Sequence, residues 1–177
     1  DDELVHALQT ASWYGDYLHE QAMHAEALEN ADMPPPPMPA TAQYELARSR
    51  LHPIRALTSG AEVIAPAPFY AGGRWRYTAR SAWWSDYRER VPVLVGHYWR
   101  HWYPRDADPT RENLMPPQNN AWHGAAHNVF CIDYSVGARW RDRKAGIAPA
   151  HSEFRLAAMR WPERVLVFDD GEVAATV

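Results

Sequence analysis

The sequence predicts an α+β protein, with a helical N-terminal segment followed by a mostly antiparallel sheet. Three observations carry that expectation. Residues 2–30 place Leu4, Val5, Leu8, Ala11, Ala22, Ala25 and Leu28 at roughly helical intervals. Pro34-Pro35-Pro36-Pro37 and Pro39 then interrupt any regular helix or sheet. Beyond residue 90, short apolar runs alternate with turn-forming residues and finish on Asp169-Asp170-Gly171-Glu172, a strong reverse-turn signal.

Taken in order, Asp1 or Asp2 can cap the first helix, and Gly15 can divide it in two. The proline tract is expected to form an extended polyproline II linker, either a stiff spacer or a ligand for a proline-binding domain. Residues 43–50 read as a short helical turn, and 56–63 as a strand or loop ahead of Pro66 and Pro68. Gly72-Gly73 turns the chain into Arg74-Trp75-Arg76-Tyr77, and residues 82–89 form a helix or irregular segment. A central strand is expected at 91–95, a long Pro-, Asn- and Gly-rich loop at 104–128, and further strands at 129–136, 153–160 and 164–169. The last of these should pair with 172–176 as a hairpin. The chain therefore divides into a helical segment, 1–31, a proline-rich linker, 32–42, and a main portion, 43–177. No internal repeat is present.

Composition sets limits. A length of 177 residues, 46% hydrophobic and 23% charged, suits one globular domain and excludes a disordered chain. A net charge of −4 excludes a global attraction to nucleic acid. Nine Trp exceed what core filling normally needs and favour an interface or a ligand-binding surface. The single cysteine, Cys131, excludes an internal disulfide and makes a reducing cytoplasm the natural compartment. No apolar run approaches membrane-spanning length.

The chemistry concentrates in two segments. The apolar run Val91 to Val95 ends at Gly96-His97, so a strand delivers one imidazole to the mouth of a site. The run from Val129 to Val136 ends at Gly137 in the same manner. His97 can bind a metal or move a proton, or it is a hydrogen-bonded imidazole at a sheet edge. His101, four residues on, could meet a leaving group or a substrate phosphate. Asp133, an acid in an apolar strand, needs a partner, and it either supports a ligand or forms a structural bridge or turn. Arg139 and Arg141 follow Gly137, while Arg100 and Arg105 flank the Gly-His segment. Guanidinium forks match phosphate oxygens, and Arg139 is the first choice for that role. Tyr98-Trp99-Arg100-His101-Trp102-Tyr103 interleaves aromatic and basic residues that either stack on bases or pack between sheets. His123 and His127 have the spacing of half a zinc site, but Pro116-Pro117 and Gly124 argue for a loop there.

Four segments in order carry a resemblance: Pro53 to Gly60, Val93 to Arg100, Val129 to Gly137, and Phe154 to Glu163. They make residues 50–177 similar to the C-terminal half of calcineurin-like metallophosphoesterases, in a bacterial branch related to serine/threonine phosphatases and diadenosine tetraphosphatases. The resemblance implies half of a two-sheet α/β/β/α sandwich. It also implies a hydrolase that uses two divalent ions, Mn, Fe or Zn, to activate water against a phosphate ester. By the same resemblance His97 would ligate one metal, and Asp133 would support the site. Arg139, Arg100 and His101 would act on the phosphoryl group, and Tyr98 and Trp99 would contact a substrate.

The family's N-terminal ligand motifs, Asp-x-His, Gly-Asp-x-x-Asp and Gly-Asn-His, are absent, and the chain opens with Asp1-Asp2 rather than Met. The expectation is a C-terminal piece, truncated, cleaved or encoded separately. Its partner would be the N-terminal half that supplies most metal ligands, and the apolar runs 91–95 and 129–132 should lack full cover without it. The alternative is a non-catalytic module of the same fold that binds nucleic acid or protein.

Overall fold

The computed structural model describes residues 2–102, 114–115 and 119–177. It contains helices and predominantly antiparallel strands, in keeping with the α+β expectation. The chain forms two compact units, Asp1–Ser81 and Ala82–Val177.

In the first unit, the expected N-terminal helix is three pieces: α1 (Asp2–Gln9), α2 (Tyr14–Met23) and α3 (Ala25–Glu29). The break falls at residues 10–13, and Gly15 sits inside α2. The short helical turn expected at 43–50 is instead a full helix, α4 (Pro39–Leu51). Pro39 occupies its first turn, where a missing N–H costs nothing. The Glu20 carboxylate of α2 caps the same turn, accepting from Ala40 N at 3.1 Å and Thr41 N at 2.7 Å. The segment 56–63, read as strand or loop, begins within helix α5 (Pro53–Ser59), again opened by proline, and ends in a strand that starts at Glu62.

Strand β1 (Glu62–Ala71) pairs antiparallel with β2 (Arg74–Arg80) around Gly72-Gly73. The register slips between Ile64 and Phe69, where Pro66 and Pro68 lie, so the ladder is locally disrupted. Glu45 of α4 fills the gap by accepting from Tyr77 N at 2.9 Å and Thr78 N at 3.2 Å. The proline tract is not a free spacer. Met38 is buried with Ala42 and Tyr77, and the Tyr77 hydroxyl donates to Pro36 O at 3.3 Å. Burial pushes the Tyr77 hydroxyl up to about 12.

In the second unit, β3 (Val93–Val95) runs parallel to β4 (Val129–Cys131) with Val95 opposite Cys131. This departs from the antiparallel pairing expected for the second half. Parallel neighbours need a long crossover, and the residues between Val95 and Val129 supply one. The hairpin is as expected: β6 (Val165–Phe168) turns into β7 (Val173–Ala175), and β5 (Ala157–Arg160) pairs with the other side of β6. All these strands are shorter than the apolar runs that announce them.

Alternation along β4 builds two cores. Phe130 joins Trp102, Trp122, Tyr134, Leu166 and Phe168, while Val129 and Cys131 join Trp84 and Met115. Coverage on both faces leaves Val129, Phe130 and Cys131 fully buried, contrary to the expectation that 129–132 lacks cover. The run 91–95 does meet it, with Val91 67% and, in β3, Leu94 44% exposed.

Candidate functional site

Because β3 and β4 stop in register, the residues two places beyond each strand, His97 and Asp133, meet at one rim. The His97 N–H donates to Asp133 Oδ2 at 2.8 Å, and the Ser135 N–H donates to Asp133 Oδ1 at 2.9 Å. The Asp133 carboxylate thus clamps the ends of both segments. The Arg100 N–H to Asp133 O bond, 3.0 Å, and the Ser135 hydroxyl to Arg100 O bond, 2.8 Å, complete the strap. Asp133 braces the site rather than reaching out of it.

The backbone at this rim is strained. His97 (φ 67), Trp99 (φ 49) and Ser135 (φ 59) all adopt left-handed conformations that side chains disfavour. Such residues persist only where surrounding bonds over-determine them, and they cluster at functional sites. Gly96 is not the residue that turns, and an added Cβ would make only ordinary contact with the Asp133 side chain, at 3.7 Å. The half-buried His97 ring meets the edge of Trp99 at 5.4 Å between centroids, and Trp99 is 54% exposed.

Arg100 is buried, with Nη1 3.2 Å from His123 Nε2 and Nη2 donating to Asn119 Oδ1 at 3.4 Å. Burial pushes its guanidinium below the ordinary value. His101 lies on the edge of Phe154, and its Nδ1 is 3.2 Å from Glu153 Oε2. The Tyr98 hydroxyl accepts from Trp83 Nε1 at 3.2 Å, and its ring packs edge-on against Trp84. Arg139 opens α6 (Arg139–Lys144) and turns away from the rim toward the hairpin. Its Nε donates to Phe154 O at 2.7 Å, and its two terminal nitrogens bind the Asp169 carboxylate. That pairing holds the Asp169 carboxyl below its ordinary value. Arg155 clamps the same turn through Asp170 and Glu172 while lying 4.0 Å over the Phe168 ring. Arg105 lies outside the described residues.

His123 and His127 do not converge. The segment closes a tight loop, with an antiparallel bridge between His123 and Val129. His123 is buried and His127 exposed. Burial first, and the Arg100 guanidinium second, push His123 down to about 4, so its ring is neutral. If Nε2 accepts from Arg100, the proton is on Nδ1, a buried atom with no hydrogen-bond partner among the described residues.

A divalent ion can be tested against these donors. The His97 imidazole offers one nitrogen of the right chemistry. Both Asp133 oxygens already accept backbone amides, and among the described residues no group of three His, Cys, Asp or Glu could hold a metal. Among the described residues the rim therefore offers a metal at most one nitrogen ligand. Its chief feature missed by sequence reasoning is the left-handed backbone of His97, Trp99 and Ser135, which no residue type announces. No protein-family profile, no curated protein and no solved structure matches the chain.

Proposed function

We propose that this chain is the C-terminal part of a calcineurin-like, metal-dependent phosphoesterase, with His97 as its ligand to one of two divalent ions. The observation that supports this most is the register of β3 and β4, which brings a strained strand-end histidine and its bracing carboxylate to one rim. Asp133 fixes the His97 backbone, so the position from which the imidazole projects is set before any metal arrives. When bound, a pair of Mn, Fe or Zn ions would activate water and polarise a phosphate ester.

The N-terminal half of the same enzyme, in the same parent chain or a separate subunit, would supply most ligands. The exposed β3 supports that arrangement, since among the described residues it has one neighbour and Leu94 is 44% exposed, a face that further structure could cover. The structural bonds of Arg139 and the burial of Arg100 leave Trp99, beside His97, as the better candidate for substrate contact. A nucleotide base suits that ring. The buried, unpaired thiol of Cys131 agrees with a reducing, cytoplasmic setting, and no helix among the described residues is long and apolar enough to cross a membrane.

The test is hydrolysis of p-nitrophenyl phosphate and of a dinucleoside polyphosphate by the protein purified with its native partners in Mn²⁺. Activity should fall at least about 100-fold in His97→Ala while urea stability changes little. Full activity in that variant would remove the proposal.

A further inference from the structure

The residues that follow the rim form a second chemical surface. Helix α6 reads Arg-Trp-Arg-Asp-Arg-Lys, and from residue 137 to 151 four cationic side chains face one carboxylate, against a whole-chain charge of −4. The structure separates these cations. Arg139 is held by Asp169 and Phe154, and Asp142 is turned inward and buried. Arg141, Arg143 and Lys144 remain exposed, and none of the three forms an ion pair among the described residues. Trp140 stands among them, 47% exposed, with Lys144 Nζ 4.8 Å and the Arg141 guanidinium 5.7 Å from its ring centroid.

We propose that α6 is a docking surface for single-stranded nucleic acid. Trp140 is the stacking platform, and Arg141, Arg143 and Lys144 contact successive phosphates. An indole ring offers a face to any unpaired base, and the cations that now lie against it are long enough to swing to the backbone on either side. A duplex hides its base faces from such a ring. A phosphopeptide supplies the charge but no base. A bilayer surface is met by a longer helix with a broad apolar face, and α6 has six residues. The proposed binding needs no metal.

The experiment is fluorescence anisotropy of a labelled twelve-residue oligothymidylate with the full chain in EDTA. Three phosphate contacts on a single strand predict that log K falls with log salt at a slope of about −2. Trp140→Ala should weaken binding about tenfold or more, in line with the loss of one base stack. The double variant Arg141→Ala/Lys144→Ala should weaken it and flatten the slope by about 1.4. Trp161→Ala removes a comparably exposed indole, 51%, and should leave affinity unchanged. Absence of binding at low salt, unchanged affinity in Trp140→Ala, loss confined to Trp161→Ala, or equal affinity for a duplex of the same length would each overturn the proposal.

Discussion

At the scale of single residues, the structure turns on where polar groups find partners. Asp133 accepts from His97 N and Ser135 N, and those two amides have left-handed residues around them. Asp133→Ala should therefore cost about 2–4 kcal/mol in urea denaturation, because two half-buried donors lose their acceptor and the strained rim loses its brace. A cost below 1 kcal/mol would show that the clamp is not needed. His123 gives a pH signature. Its folded value, about 4, lies below the ordinary 6.5, so between those values the unfolded chain binds the extra proton. Stability should fall as pH drops from 6.5 to 4 and level off below that. The contribution is about 2 kcal/mol after allowing for partial burial, and His123→Gln should abolish it. The depressed carboxyls of Asp169 and Asp170 act below their ordinary value of 3.8, outside that window. A wild-type and a variant curve of equal slope between pH 6.5 and 4 would contradict the assignment.

At the scale of elements, the apolar runs were legible and their pairing was not. The 164–169 and 172–176 hairpin follows from Asp-Asp-Gly-Glu, because that turn admits few other geometries. Helices α4 and α5 were hidden because both begin at proline, a residue that punctuates more often than it starts. The cap of α4 comes from Glu20, about twenty residues away, and no local pattern shows it. Parallel pairing of β3 and β4 is a long-range choice that the two runs express only as similar apolar endings. The Arg139 side chain, read from sequence as a phosphate contact, is tied to a turn thirty residues on. Two measurements belong to this scale. Val93 N and Val95 O bond toward the β4 side, so the Leu94 amide points away from β4. It should exchange with solvent far faster than the Phe130 amide in the isolated chain, and slow when the proposed N-terminal half is present. Equal exchange in both states would argue against completion of the sheet at β3. Gly124 (φ +84) lies so close to Trp84 that an added Cβ would sit 2.5 Å from its carbonyl oxygen. Gly124→Ala should destabilise by about 3 kcal/mol or more, because strain and a backbone clash add.

At the scale of the whole molecule, the two units each carry their own packing, and the second unit is unevenly finished. Its interior holds Trp84, Trp102 and Trp122, so part of the tryptophan excess is core, while Trp99, Trp140 and Trp161 remain on the surface. The second unit presents a braced histidine at the end of an exposed strand, and α6 presents cations, without an ion pair among the described residues, around an indole. A single imidazole cannot assemble a two-metal centre, so the proposed phosphoesterase activity requires an N-terminal half that brings the remaining ligands. The most direct measurement is the native mass of the particle isolated from its own cells, with every polypeptide in it identified. The proposed function requires a longer parent chain, or a second chain, carrying Asp-x-His and Gly-Asn-His motifs. A lone 20.3 kDa species, or a homo-oligomer of it, would contradict the phosphoesterase reading.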